Sequence, residues 1–194
     1  MASKRESSFI NMVITLFLVA AVAALALGGV YTVTKEPIAI AKQKKLEAAI
    51  KSVLPEFDTI KTTRFLDPEG KDSLTFYYAF KYGEEIGAAI KTYTMEGFSG
   101  KIELMVGLLK DGTINNTAVL AHKETPGLGD KMDVAKSDFP LQFKGKNPND
   151  FKLQVTKDGG NVDAITAATI SSRAFCDAID RAYITFEKEK GGNQ

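Results

Sequence analysis

The chain has 194 residues, a length that suits one ordinary domain with an appendage better than two full-sized domains. Its 25 Lys and Arg residues nearly balance 24 Asp and Glu residues, so no basic field is available for a phosphate backbone and we expect no nucleic-acid partner. One cysteine, Cys176, and one histidine, His122, exclude an intrachain disulfide, a Cys-rich zinc site, a four-thiolate iron–sulfur cluster and a His-pair metal site. A redox centre would therefore be an organic cofactor or one shared with a partner.

Near the N-terminus, residues 7–34 carry no charge, and residues 9–33 are dominated by apolar side chains and glycine. A helix rises about 1.5 Å per residue, so this stretch can cross a hydrocarbon core of about 30 Å. The alternative is a cleaved signal peptide, whose apolar core usually has about 7–15 residues. The length favours a retained single-pass anchor in membrane lipid. Lysines and an arginine flank the stretch on both sides, so charge counting leaves its orientation open.

After the anchor, residues 38–53 place apolar side chains at three- and four-residue spacing between Pro37 and Pro55. Proline is well tolerated in the first turn of a helix, so we predict a juxtamembrane helix that starts at Pro37. Its apolar face can pack on the body of the domain or, alternatively, on a coiled-coil partner.

Five segments with strand character follow, and turn residues at 67–70, 82–83 and 111–112 separate them. An antiparallel sheet is the simplest interpretation. The segments are residues 59–65, 74–82, 88–93, 102–109 and 114–121.

Beyond the sheet we expect a short helix or loop over residues 130–139, a polar stretch over 144–150 and a further strand over 151–156. Residues 171–187 then place apolar side chains on one face at helical spacing, which predicts a terminal helix packed on the sheet and an α+β fold. The predicted divisions are a tail and anchor at 1–34, a juxtamembrane helix and connector at 35–58, the domain at 59–190 and a tail at 191–194.

Small and hydroxyl-bearing side chains cluster at residues 163–172, where an extended stretch meets the terminal helix. A helix N-terminus offers unpaired backbone N–H groups and the positive end of the dipole, so it stabilises a phosphate. Ala167 and Ala168 lack the bulk that would keep a ligand from the backbone. The hydroxyls able to donate to a phosphate belong to Thr166, Thr169, Ser171 and Ser172. Alternatively, Ser171 or Ser172 simply caps the helix.

Two glycine-containing turns precede this cluster. One contains Ser99 and Gly100, and the other contains Glu124, Thr125, Gly127, Leu128 and Gly129. Glycine removes side-chain bulk and permits positive φ, so such a turn can lie close against a planar ligand. Either could equally be an ordinary surface turn.

These segments, in this order behind one anchor, resemble the FMN-binding G subunit of the Rnf electron-transport complex. The similar stretches are Gly-Phe-Ser-Gly-Lys-Ile at 97–102, Glu-Thr-Pro-Gly-Leu-Gly at 124–129 and Asp-Ala-Ile-Thr-Ala-Ala-Thr at 163–169. In that family, and in the related C subunit of the sodium-translocating NADH:quinone reductase, a flavin transferase attaches flavin mononucleotide (FMN) through its phosphate to a threonine. The acceptor motif reads Asp-x-x-[Ser/Thr]-Gly-Ala-Thr. Its aspartate and last threonine match Asp163 and Thr169, and its glycine is Ala167 here.

The resemblance implies a covalent FMN on Thr169, as a phosphoester, with no catalytic residue in the chain itself. The other implied cofactor-binding residues are Asp163, Thr166, Ala167, Ala168, Ser171, Ser99, Gly100, Glu124, Thr125, Gly127, Leu128 and Gly129. The resemblance also implies a relay between ferredoxin and NAD that is coupled to ion movement, with other membrane subunits as partners. The domain would lie on the extracytoplasmic side of the cytoplasmic membrane and would not turn over substrate alone. The alternatives are the quinone-reductase C subunit, whose members are generally longer, and a membrane-anchored assembly protein without cofactor.

Overall fold

The computed structural model describes residues 8–66 and 73–192, and the chain divides after Lys44 into two compact units. The helix α1 (Phe9–Val53) begins in the first unit and ends in the second. Its most apolar 18-residue window has a mean hydropathy of 2.6 and none of it is buried within the protein, so α1 is long and apolar enough to cross a membrane. The finer division of the chain made from the sequence stays a prediction.

The predicted start of a separate helix at Pro37 is wrong, because Pro37 lies inside α1. A proline in a helix interior removes one backbone hydrogen bond and costs about 3 kcal/mol. Good helix formers such as Ala39, Ala41 and Lys42 follow at once, and the helix continues.

Five antiparallel strands form one sheet in the order in which they occur along the chain. They are β1 (Thr59–Leu66), β2 (Ser73–Lys81), β3 (Glu84–Gly97), β4 (Gly100–Leu109) and β5 (Ile114–Ala121). Tyr82 and Gly83 have φ values of 52° and 82°, the left-handed pair that a two-residue type I′ hairpin needs between β2 and β3. The predicted antiparallel sheet is confirmed, while the turn predicted at 67–70 lies outside the described residues.

One face of the sheet packs against the second long helix, α2 (Thr169–Gly192), which contacts β3 and β4. Phe175, Ile179 and Phe186 of α2 are buried in the main apolar core against this face. The predicted terminal helix and the α+β fold are therefore confirmed, although α2 begins two residues earlier and ends five residues later than the predicted range 171–187.

The last turns of α1 cover the opposite face of the sheet, where Ile50 and Val53 pack against Met105. This approach is so close that a Cβ atom on Gly107 would lie 1.9 Å from the Val53 carbonyl oxygen. The Asn115 side chain donates a hydrogen bond of 2.8 Å to the same oxygen. Because the carbonyls at a helix C-terminus have no partner within the helix, this bond helps to end α1 against the sheet.

The strand predicted over residues 151–156 is wrong. In this segment only Val155 pairs in strand fashion, as an isolated bridge to Val162. Phe151 and Leu153 pack on the core and Val155 is buried, so burial recurs at alternate positions with the period of a strand. The backbone instead bonds to the turn that follows, and short 3-10 helices at Gly129–Met132, Phe139–Phe143 and Thr156–Asp158 complete the connection between β5 and α2.

Candidate functional site

A cleft of about 320 Å³ opens where three segments meet, and this volume falls within the range of small-molecule sites. The segments are the β3–β4 turn (residues 97–100), the glycine loop (residues 124–129) and the start of α2. The cleft is lined by Phe98, Glu124, Thr125, Leu128, Gly129, Ala167, Ala168, Thr169, Ile170 and Ser171. The fold thus brings together residues that lie up to 73 positions apart in the sequence.

Not every residue predicted for the site lies in the wall of this cleft. Those outside it, although in or next to the same three segments, are Ser99, Gly100, Gly127, Asp163 and Thr166. Conversely, Phe98 and Ile170 line the cleft, with 67% and 46% of their surface exposed, although neither was predicted as a site residue. The sequence signal that could have indicated them is a large apolar residue flanked by glycine, serine or threonine in a predicted site segment.

The N-terminus of α2 presents a set of unpaired donors. The first backbone hydrogen bond into the helix runs from the N–H of Ser172 to the Ala168 carbonyl, at 3.0 Å. Within the part of the chain that the structure describes, the preceding N–H groups, those of Thr169, Ile170 and Ser171, have no hydrogen-bond acceptor. Three unpaired donors therefore lie at the positive end of the helix dipole, in the same turn as Thr169.

The hydroxyl groups in this first turn differ in what they bind. Ser171 Oγ donates to Glu124 Oε2 at 2.5 Å, and Ser172 Oγ donates to the Ala168 carbonyl at 3.0 Å. Both serines are buried, and the idea that either is the helix cap is wrong because α2 begins at Thr169. The hydroxyl of half-buried Thr169 makes no hydrogen bond to any residue described. It is therefore available to a group in the cleft.

Glu124 is 5% exposed, and its carboxylate points into the protein. Oε1 accepts the Ser99 N–H at 2.9 Å, while Oε2 accepts the Ser171 hydroxyl. A Cβ atom on Gly97 would lie 2.9 Å from Oε1, and one on Gly129 would lie 2.7 Å from Oε2. A buried carboxylate needs such hydrogen bonds to offset its lost hydration, and these tie the three segments around the cleft to one another.

The glycine loop is a tight turn, and an ion pair fixes the residue that follows it. The Leu128 N–H donates to the Thr125 carbonyl at 3.2 Å, and Gly127 has a φ of 80° with open space where a Cβ would be. After the loop, the buried carboxylate of Asp130 pairs with Lys136 Nζ at 2.6 Å, and this pairing lowers the pKa of Asp130. The loop therefore has open space at Gly127, while its end is fixed by the pair between Asp130 and Lys136.

Ala167 has a φ of 61°, in the left-handed region that L residues with a Cβ disfavour. This conformation costs a residue such as alanine about 1–2 kcal/mol, whereas glycine adopts it freely. The turn into α2 therefore gives a physical reason for the glycine of the acceptor motif at this position. In this chain the side chain of Ala167 is exposed, so its methyl group meets no steric barrier from the core.

Comparison with known proteins agrees with this arrangement. Residues 97–184 match the model of the FMN-binding domain family. Over 193 residues the chain is 35% identical to the G subunit of the ion-translocating oxidoreductase complex of Aliivibrio fischeri (strain ES114), covering 92% of this chain and 91% of that protein. The G subunits of the same complex from Shewanella oneidensis and Pseudoalteromonas atlantica are 34% and 33% identical, and the matches cover 81% and 93% of this chain and 79% and 88% of those proteins.

The chain belongs to the family of these G subunits. The membership expected from the sequence is thereby confirmed. The FMN-binding match starts at Gly97 and ends within α2, so it contains all three segments that form the cleft.

Proposed function

We propose that this chain is the FMN-carrying electron-transfer subunit of a membrane-bound ion-translocating complex, with FMN held as a phosphoester on Thr169. The observation that carries the proposal is the Thr169 hydroxyl, which lines the cleft without a hydrogen-bond partner among the described residues. The neighbouring serine hydroxyls are buried and engaged, so they are poor acceptors. The FMN-binding match and the G-subunit relatives support the same cofactor and the same kind of complex.

The cleft fits the two ends of FMN. A phosphate on Thr169 would be held by the unpaired N–H groups at the start of α2 and by the positive end of its dipole. The exposed apolar side chains of Phe98, Leu128 and Ile170 suit a planar aromatic ring. Bound flavin supplies one- and two-electron chemistry, and the chain contributes its attachment and surroundings.

The attachment is a group transfer for which the chain supplies the nucleophile. The Thr169 oxygen forms a bond to the phosphorus of the FMN moiety in flavin adenine dinucleotide. The bond from that phosphorus to AMP breaks, AMP leaves with the bonding electrons, and the hydroxyl proton passes to a base. A flavin transferase supplies the base and binds the donor, because the described residues around Thr169 offer no free histidine or carboxylate in the cleft wall.

The anchor and the family support a location at the cytoplasmic membrane, with the apolar N-terminal part of α1 embedded in lipid and other subunits of an Rnf-type complex alongside. We place the domain on the extracytoplasmic side, where a covalent bond keeps FMN from being lost. Electrons pass through this site during transfer between ferredoxin and NAD, and the subunit has no substrate turnover of its own.

The test is to produce the full chain with and without a flavin transferase and to examine denatured protein on a gel for flavin fluorescence. Wild-type protein should fluoresce only with the transferase, and Thr169→Val should stay dark because it keeps the shape but lacks the nucleophile. Thr156→Val is a matched control, since Thr156 is exposed and lies outside the cleft. A dark wild-type band with active transferase would support the cofactor-free assembly protein instead, and a fluorescent Thr169→Val band would refute the attachment site.

A further inference from the structure

The side-chain amide of Gln142 binds the backbone of Asp163, the first residue of the acceptor segment (residues 163–169). Gln142 Oε1 accepts the Asp163 N–H at 2.8 Å, and Gln142 Nε2 donates to the Asp163 carbonyl at 3.1 Å. The same Nε2 donates to the Phe139 carbonyl at 3.0 Å, which fixes the amide orientation. Gln142 therefore binds Asp163 much as a neighbouring strand would, although none of the strands in the described residues pairs with it.

The other end of the acceptor segment is fixed as well. Ser172 Oγ accepts the Ile165 N–H at 2.9 Å and donates to the Ala168 carbonyl. A further bond of 3.0 Å from the Ala168 N–H to the Ile165 carbonyl closes the turn. Hydrogen bonds thus fix the backbone of the acceptor segment at both ends.

The outward side of the segment is free. The side chains of Asp163, Thr166 and Ala167 are exposed, and the Asp163 carboxylate makes no hydrogen bond or ion pair within the described ranges. The backbone of Asp163 is fixed by Gln142, while its carboxylate is exposed and accessible to another protein.

We propose that Gln142 is a positioning residue for flavinylation, which holds the acceptor segment in the conformation that the flavin transferase binds. The inference rests on the proposed function, because it supposes that Thr169 is the acceptor. Without the two bonds from Gln142, Asp163 would sample many backbone conformations. The transferase would then bind only the fraction of molecules in the competent one, and apparent affinity falls by that fraction.

This role predicts a particular kinetic signature. Gln142→Leu keeps the size of the side chain and removes both hydrogen bonds to Asp163. With flavin adenine dinucleotide as donor, the KM of the transferase for the full chain in detergent should rise about tenfold, while kcat stays within about twofold. The amide of Asp163 should also exchange with deuterium about tenfold faster, a readout that needs no flavin.

Two further variants make the test decisive. Gln154→Leu is the matched control, because Gln154 is exposed and its side chain makes no hydrogen bond to a described residue; its KM should equal that of wild type. Gln142→Glu keeps an oxygen for the Asp163 N–H but sets a second oxygen against the carbonyls of Phe139 and Asp163, so its KM should also rise. If Gln142→Leu weakens folding, Gln142→Glu still provides the comparison.

An unchanged KM in both Gln142 variants, or a loss confined to kcat, would overturn the inference while leaving the attachment site intact. No adduct on the wild-type chain would refute the proposed function itself, and the inference would fall with it. Faster exchange at Asp163 together with a rise in KM in the Gln142 variants, but not in Gln154→Leu, is the result that supports it.

Discussion

The bond between Ser171 and Glu124 should account for a measurable part of the stability of the domain. Ser171→Ala removes the hydroxyl that Glu124 Oε2 accepts at 2.5 Å. A hydrogen bond to a charged group contributes about 1.5–3 kcal/mol, and Ser171 is 2% exposed, so water cannot easily replace it. We therefore expect the free energy of unfolding to fall by about 2 kcal/mol. Glu124→Ala should cost more, since it leaves the Ser171 hydroxyl buried without a partner and also removes the acceptor of the Ser99 N–H.

Because the two residues share one interaction, their effects should not add. The double variant should be less destabilised than the sum of the single variants by about 1–2 kcal/mol. The chain has six tyrosines and no tryptophan, so urea unfolding is followed by tyrosine fluorescence. With a typical slope of about 2 kcal/mol per molar urea, Ser171→Ala should lower the midpoint by about 1 M, and Glu124→Ala should lower it further.

Ser99→Ala is the matched control for this cycle. Ser99 binds Glu124 through its backbone N–H, which alanine keeps, and its exposed side chain makes no hydrogen bond to a described residue. Its free energy of unfolding should therefore change little, within about 0.5 kcal/mol. A coupling energy between Ser171 and Glu124 below about 0.5 kcal/mol would show that this bond does not hold the cleft together, and would refute the reasoning.

Three other predictions concern the backbone at Ala167, two ionisable side chains and the membrane topology. Ala167→Gly should stabilise the domain by about 0.5–1 kcal/mol, because relief of the left-handed backbone outweighs the added freedom of the unfolded chain; a lower urea midpoint would contradict this. Burial raises the pKa of Cys176 and of Tyr78 to about 12, so both stay neutral in the folded state while the unfolded chain ionises. Stability should therefore fall as the pH rises from about 9 towards 12, and Cys176→Ala should reduce this pH dependence in urea titrations. Protease added to intact spheroplasts should digest the domain, whereas digestion only after lysis would place it in the cytoplasm.

Local chemistry made much of the fold predictable. Left-handed turn residues such as Gly83 and Gly112 mark hairpins, and helical spacing marks α2, because these signals act over a few neighbouring residues. The strand prediction over 151–156 was wrong because it, too, rested on a local signal alone. Alternate burial is local, but whether the backbone finds a sheet partner is decided by the rest of the fold.

The segments that form the site were predictable from the sequence, but the hydrogen bonds between them were not. The glycine loop and the acceptor segment stood out through small and hydroxyl residues. That Ser171 binds Glu124, 47 positions away, and that Gln142 binds Asp163, 21 positions away, depends on tertiary packing that no single segment encodes. Thr169 was therefore chosen over Ser171 by its match to the acceptor motif, because the residues themselves did not show which hydroxyl is engaged.

The most direct test of the central claim is the mass of the peptide that contains Thr169, from wild-type chain produced with a flavin transferase. We expect this peptide to gain the mass of FMN less one water, with fragmentation assigning the gain to Thr169, and we expect no such gain in Thr169→Ala. The same mass on Ser171, on Thr166 or on the peptide from Thr169→Ala would contradict the account.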